Sequence, residues 1–297
     1  MAVRVPRIAA VALAALLVVV AVAMARAATG GDDDRPAARS AQSVPTVPAP
    51  ATAEPLPALD EPVPTGATTL AATLRRTAAS LDAEVDLWLA DDAVRPPAAV
   101  TRNATYESRI IDVLASDRRL STQVLPRIAA VHARRIAPEV RARRDLRALH
   151  RASQRKPGPP PEIRIGPPRP AAELLRHYRD AQERFGVRWN VLAAVNYVET
   201  KFGRYRNESI SGARGPMQFM PATWRQYGMG GDVRNTRDAI MGAANYLRAS
   251  GAPGDNRRAL YAYNPSDLYV RTVTMYAERI RTDPRGFPSL YAREVVR

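Results

Sequence analysis

The chain has 297 residues, 46% of them hydrophobic, and a formal net charge of +15. It contains no cysteine, which excludes a disulfide framework and any thiolate zinc site. Its three histidines, His132, His150 and His177, are far apart in sequence, so we expect neither a metal centre nor another cofactor.

An uninterrupted apolar run, from Ile8 to Ala25, follows Arg4 and Arg7 at the N-terminus. It is just long enough to span a bilayer as a helix. The two arginines would stay in the cytoplasm, since positive residues are retained on that side. We therefore expect residues 1–30 to form a membrane anchor, with the rest of the chain outside the cytoplasm. A cleaved signal peptide is the alternative, because Ala25-Arg26-Ala27 is typical of a cleavage site.

Two proline-rich segments divide the rest of the chain. Residues 35–66 contain eight prolines, and residues 156–170 contain seven. Proline fixes φ and has no N–H to donate, so neither segment is expected to form a packed core. The predicted organisation is an anchor or signal peptide (1–30), a disordered Pro/Ala-rich linker (31–66), a basic helical region (67–155), a second linker (156–170), a globular domain (171–283) and a C-terminal tail (284–297).

Residues 67–155 have the apolar spacing of α-helices. A first helix should end before Pro96, a second should cover residues 98–115, and a third should run from 121 to 153 with bends at Pro126 and Pro138. We expect these helices to form a stalk-like region. No motif in them carries chemistry.

Between Arg118 and Arg155 there are eleven arginines against only Glu139 and Asp145. Either this is a solvated helix face, or it attaches the protein to anionic lipid or an anionic wall polymer. Nucleic acid is not expected as a partner, because export would place this region outside the cytoplasm. A compositional bias toward Ala, Arg and Pro would also account for the charge.

The segment after residue 170 is predicted to begin with two helices, the first ended by Gly186 and the second running from about Arg188 to Thr200. Glu199 would lie in the last turn of the second helix, which Gly203 closes. The negative end of the helix dipole and desolvation by apolar neighbours would both raise the pKa of Glu199. A raised pKa is what a general acid needs near neutral pH. From its position alone, Glu199 could equally be an ordinary surface residue.

Two further segments contain candidate binding residues. Gly215-Pro216-Met217-Gln218 forms a loop in which Gln218 can donate and accept hydrogen bonds, while Met217 is either an adaptable wall or part of the core. A helix is predicted to start at Pro221. Further on, Tyr263 is either a core residue or a phenol beside the acid. Asn264, which precedes Pro265, has the pattern of a helix N-cap.

Three segments together resemble the motifs of the lysozyme-like lytic transglycosylases: Val198-Glu199-Thr200, Gly215-Pro216-Met217-Gln218 and Tyr261-Ala262-Tyr263-Asn264. The resemblance covers residues 171–283 and implies an all-α, lysozyme-like catalytic domain. Thr200 stands where the family usually has Ser, and Pro216 stands where it usually has Leu.

The resemblance implies cleavage of peptidoglycan glycan strands in a bacterial cell envelope. Glu199 would protonate the MurNAc–GlcNAc oxygen and then deprotonate the C6 hydroxyl, which forms 1,6-anhydro-MurNAc. Met217, Gln218, Tyr263 and Asn264 would bind the substrate, with Gln218 or Asn264 orienting the N-acetyl group and Tyr263 lying next to the acid.

Two alternatives stay open. A hydrolysing muramidase would need a second carboxylate, for which Glu208, Asp232 and Asp255 are the loop candidates. A non-catalytic wall-binding protein would keep the fold without the reaction. We also expect residues 171–283 to be active as an isolated fragment.

Overall fold

A computed structural model of the protein describes residues 58–91, 94–153 and 163–295. Within these ranges the chain is mainly α-helical, with isolated β-bridges but no strand, which agrees with the predicted all-α class. In chain order the helices are α1 (Ala67–Ala90), α2 (Ala98–Ser116), α3 (Arg118–Val124), α4 (Ala130–Ser153), α5 (Ala171–Phe185), α6 (Trp189–Thr200), α7 (Pro221–Tyr227), α8 (Thr236–Ala249), α9 (Asn256–Tyr263), α10 (Asp267–Thr282) and α11 (Gly286–Tyr291).

The predicted third helix is divided into two. Pro126 lies in a 3-10 turn, Leu125–Arg127, that separates α3 from α4, whereas Pro138 lies inside α4. A proline removes one backbone donor and clashes with the preceding turn, so a helix accommodates it either by ending or by bending. The sequence marks both positions but does not decide between these outcomes.

The N-terminal helices pack directly on the rest of the protein. Val85 from α1 and Leu146 from α4 share one buried core with Leu192 from α6 and Val273 from α10. The principal partner of α4 is α10, which lies along it. The apolar face of α4 therefore has a partner, and α1 to α4 form a docked layer rather than the separate stalk that the sequence predicts.

Buried ion pairs join this layer to the remaining helices. Glu139 of α4 is fully buried and contacts Arg143, Arg279 of α10 and Arg293 near the C-terminus. Burial opposes ionisation of Glu139, but the three guanidinium groups hold its pKa well below the ordinary value. Because Arg279 and Arg293 lie outside the N-terminal layer, the pairs fix its position on the globular domain.

These contacts change two predictions. The arginine-rich stretch is not wholly a solvated face, since Arg135 and Arg143 form ion pairs inside the protein. Other members of the stretch are exposed, namely Arg118, Arg119, Arg127, Arg134, Arg141 and Arg151. The expected C-terminal tail, as far as residue 295, contains a helix, α11, which is buried, and Arg293, which is 5% exposed.

None of the described helices is long and apolar enough to cross a membrane. The predicted anchor, residues 1–30, lies outside the described residues, as do most of the first linker and residues 156–162 of the second.

Candidate active site

Glu199 lies in the last turn of α6, as predicted, and is 8% exposed. The helix ends one residue later than Glu199, at Thr200, and Lys201 takes a left-handed conformation with φ of 52°. Phe202 and Gly203 also have positive φ. The chain therefore turns away from the helix before Gly203, the residue that the sequence predicts to close it, and leaves Glu199 at the helix end.

Tyr269 of α10 is the hydrogen-bond donor to Glu199. Its hydroxyl lies 2.6 Å from the Glu199 Oε1 atom. Burial raises the pKa of Glu199 to about 7, although the Tyr269 hydrogen bond and the Lys201 charge lower it. Near neutral pH the carboxyl group is therefore populated both as an acid and as a base, which suits a residue that donates a proton and later accepts one.

Tyr263, not Tyr269, is the residue that the resemblance places beside the acid. In the structure the Tyr263 hydroxyl donates to the Met217 carbonyl at 2.6 Å, and its ring stacks parallel to Tyr269 at 6.4 Å. Tyr263 thus supports the ring that bonds Glu199 rather than bonding it directly. Tyr269 lies seven residues before Tyr276 on the same helix face, so the sequence indicates that it is buried but not that it contacts Glu199.

The Gly215 loop is held closed by a short antiparallel bridge between Arg214 and Phe219. A Cβ atom on Gly215 would lie 1.8 Å from the Val233 carbonyl oxygen, so only glycine fits there. Gln218, at φ of 49°, donates from its Nε2 atom to the Gly215 carbonyl at 3.0 Å. Its carboxamide therefore helps to maintain the loop that carries it.

Met217 is fully buried. This position fits the core alternative, while the residue's carbonyl, which accepts from Tyr263, connects the loop to the tyrosine pair.

Two side chains of α6, near Glu199, hold this loop by hydrogen bonds to one carbonyl oxygen. The Thr200 hydroxyl donates to the Pro216 carbonyl at 2.6 Å, and the Asn196 amide donates to the same oxygen at 2.8 Å. Tyr178 of α5 in turn donates to the Asn196 amide oxygen. The two residues that differ from the usual family motif, Thr200 and Pro216, are therefore hydrogen-bonded to each other. The hydroxyl retained at Thr200 holds the loop in position.

Asn264 is not a helix N-cap. It is the C-cap of α9, which ends at Tyr263, whereas α10 begins after Ser266. The backbone makes an additional turn here, because the Ser266 N–H donates to the Asn264 carbonyl at 2.7 Å. Asn264 is 5% exposed, and no hydrogen bond in the described part of the chain joins its side chain to Glu199 or Gln218.

Aromatic rings form a continuous cluster beside the acid. Tyr263 contacts Tyr246 and Phe219 at ring-centre distances of 5.7 and 5.9 Å, and Phe219 contacts Trp224 at 5.1 Å. Tyr263, Tyr246 and Trp224 are only partly buried, so some of this aromatic surface faces solvent. Such faces combine apolar area with polar edges, as a sugar-binding surface requires.

The candidate second carboxylates each have another structural role. Glu208 forms ion pairs with Arg214 and Arg234. The Asp232 side chain accepts from the Arg234 N–H, and Asp255 is the N-cap of α9. In the described ranges there is also no group of three or more His, Asp or Glu residues that could hold a metal ion.

Residues 177–282 match the family model described as "Transglycosylase SLT domain". This part of the chain is similar to a transglycosylase SLT domain. The match confirms the resemblance to lysozyme-like lytic transglycosylases, and Glu199, Gln218, Tyr263 and Tyr269 all lie inside the SLT domain.

A curated relative supports the same assignment. "Membrane-bound lytic murein transglycosylase F" of Thiobacillus denitrificans is 29% identical to the chain over 128 residues. The alignment covers 40% of this chain and 27% of the relative, so the chain spans only about a quarter of that protein's length. No solved structure matches the chain significantly.

Proposed function

We propose that the protein is a peptidoglycan lytic transglycosylase of the bacterial cell envelope, with Glu199 as its single acid and base. The observation that carries the proposal is the position of Glu199, a buried carboxyl group in the last turn of α6 that accepts a 2.6 Å hydrogen bond from Tyr269. It lies within residues 177–282, which match the SLT model, and burial raises its pKa to about 7. The name of the curated relative supports both the class of reaction and an envelope location.

In the proposed reaction, protonated Glu199 gives its proton to the oxygen between MurNAc and GlcNAc, and the C1–O bond breaks. The ionised carboxylate then takes the proton of the MurNAc C6 hydroxyl while that oxygen bonds to C1. The products are a free GlcNAc end and 1,6-anhydro-MurNAc, and Glu199 returns to its protonated form. No water is consumed.

The tyrosine pair would keep Glu199 in place during both transfers. Tyr269 donates to one carboxyl oxygen, which leaves the other free to exchange a proton with the substrate. Burial raises the pKa of Tyr269 well above its ordinary value, so the phenol stays protonated and remains a donor at neutral pH. In this proposal Gln218 or Asn264 orients the N-acetyl group, and Tyr263 and Met217 act mainly by supporting the site.

The same-class alternative, a hydrolysing muramidase, requires a second carboxylate at a defined distance from the first. The ion pairs of Glu208 and the capping role of Asp255 favour the single-acid reaction.

The experiment that tests enzymatic function is digestion of purified peptidoglycan by the protein and by Glu199→Gln. The wild type should release soluble muropeptides, and the variant should release none while keeping its helical circular dichroism spectrum. A folded Glu199→Gln variant that still digests the glycan would exclude the proposed role, and an inactive wild type would favour a wall-binding protein.

A further inference from the structure

A cavity of about 110 Å³ lies where α2 and α4 of the N-terminal layer meet α6, α10 and the C-terminal residues 293–295. A cavity needs roughly 10–15 Å³ to hold a single water, so this cavity is large enough for a small organic molecule. It is lined by polar groups around Lys201 and by apolar side chains, among them Leu146, Tyr276 and Leu290. We call it the Lys201 cavity.

Two of the arginines that line the Lys201 cavity have carboxylate partners, and the third, Arg109, donates to the Leu59 carbonyl oxygen. Arg143 pairs with Asp112 at 2.5 Å, and Arg293 pairs with Glu139. Lys201 differs from both, since no carboxylate lies within ion-pair distance of its ammonium in the described part of the chain. Its Nζ atom donates to the Tyr197 carbonyl at 3.2 Å and lies 4.3 Å from the Tyr197 ring centre.

The Lys201 ammonium is therefore a partly buried cation with unused donors. Burial, together with the nearby positive charges of Arg143 and Arg293, lowers the pKa of Lys201. An anion in the cavity would supply the counter-charge that this ammonium lacks.

The lining also limits the type of anion. Asp112 and Glu294 offset part of the positive charge of the wall, so a singly charged anion is enough to neutralise the ammonium of Lys201. The apolar side chains, in contrast, suit a compact hydrocarbon group. One negative charge on a small, partly apolar body satisfies both conditions.

We propose that the Lys201 cavity binds a small organic carboxylate, whose anionic group pairs with Lys201. This site is separate from the carboxyl group of Glu199. Lys201 follows the end of α6, and its ammonium returns to the Tyr197 carbonyl. Glu199 lies about half a helical turn from Tyr197 and bonds Tyr269 instead. The inference goes beyond the proposed function and does not depend on glycan cleavage.

The test uses the full chain and titration calorimetry with N-acetyl-D-alanine, N-acetyl-D-alaninamide and inorganic phosphate. The first two probes have the same body and differ in the carboxylate. We expect saturable one-to-one binding of the carboxylate and binding of the amide and of phosphate that is weaker by at least about tenfold.

Substitutions locate the site. Lys201→Gln should weaken carboxylate binding by about tenfold or more, Lys201→Arg should retain it, and Arg281→Gln, on the exposed face of α10, should change nothing. Glu199→Gln should also bind normally, which separates this inference from the proposed reaction. The proposal would be overturned if the wild type bound the acid and the amide equally, bound phosphate more tightly, or showed no saturable binding. Full binding by a folded Lys201→Gln variant would overturn it as well.

Discussion

The Tyr269 hydroxyl donates a 2.6 Å hydrogen bond to the Oε1 atom of Glu199, which joins α10 to the end of α6. This bond favours the ionised carboxylate, whereas burial favours the protonated form and has the larger effect. The pKa of Glu199, near 7, therefore reflects both burial and the Tyr269 hydrogen bond, and changing either one should shift it.

Tyr269→Phe removes the donor and keeps the ring. Because the lost bond stabilised the carboxylate, the pKa of Glu199 should rise above about 7, and the alkaline limb of the kcat/KM profile should move to higher pH. The maximal rate should fall about tenfold, since one oriented hydrogen bond is lost. Tyr263→Phe is the control, because its hydroxyl bonds the Met217 carbonyl and the limb should stay in place. An unmoved limb in Tyr269→Phe would contradict this role.

Glu199→Gln should change how stability depends on pH. The folded-state pKa of Glu199 is raised above its ordinary value of 4.5, so its contribution is fully present below pH 4.5 and is lost as pH rises to about 7. At about 1.4 kcal/mol per pKa unit, the loss is on the order of 3 kcal/mol. The variant should therefore gain in free energy of unfolding, relative to the wild type, between pH 4.5 and 7. Urea unfolding at several pH values measures this, and a constant difference would argue against the raised pKa.

Thr200→Ala should loosen the Gly215 loop. The substitution removes the 2.6 Å hydrogen bond to the Pro216 carbonyl and leaves Asn196 as its remaining donor. We expect a loss of about 1–2 kcal/mol in the free energy of unfolding, together with a lower kcat/KM. Thr200→Ser keeps the hydroxyl and should behave like the wild type in both assays. If Ser and Ala gave the same loss, the hydroxyl would not be the group that matters.

Glu139→Gln should be strongly destabilising, by about 3–5 kcal/mol, because it leaves Arg279 and Arg293 buried without a full counter-charge. Glu278→Gln removes an exposed carboxylate paired with Arg281 and should leave the urea midpoint unchanged. A small effect of Glu139→Gln would show that the ion-pair cluster does not hold the N-terminal layer in place.

The same contacts bear on the fragment 171–283, which the sequence suggests should be active alone. The fragment lacks both α4 and Arg293, so it would expose the core face of α10 and leave Arg279 without Glu139. We now expect it to unfold without a cooperative transition, whereas residues 58–297 should unfold cooperatively. Circular dichroism during heating distinguishes these outcomes.

The sequence predicts the helices well where an apolar stripe meets a clear end signal. Gly186 ends α5 in a left-handed conformation, and α7 begins at Pro221, both as expected. Glu199 is also where the pattern places it. These features depend on local spacing and backbone chemistry, which the sequence contains directly.

The missed features depend on contacts between distant segments. Tyr269 contacts Glu199 from 70 residues away, and Glu139 meets Arg293 from 154 residues away. The stripe on α4 shows that a face is buried but not what covers it, so a docked layer and a separate stalk have the same pattern. The motif around Met217 is likewise the same whether the side chain is buried or faces the substrate.

The central claim, a single carboxyl group acting as acid and then as base, is tested most directly by mass spectrometry of the soluble products from purified peptidoglycan digested in ¹⁸O-labelled water. The account predicts muropeptides ending in 1,6-anhydro-MurNAc, lighter than the hydrolysis products by one water and free of label. Reducing-end MurNAc products that carry ¹⁸O would contradict it and would establish a hydrolysing muramidase.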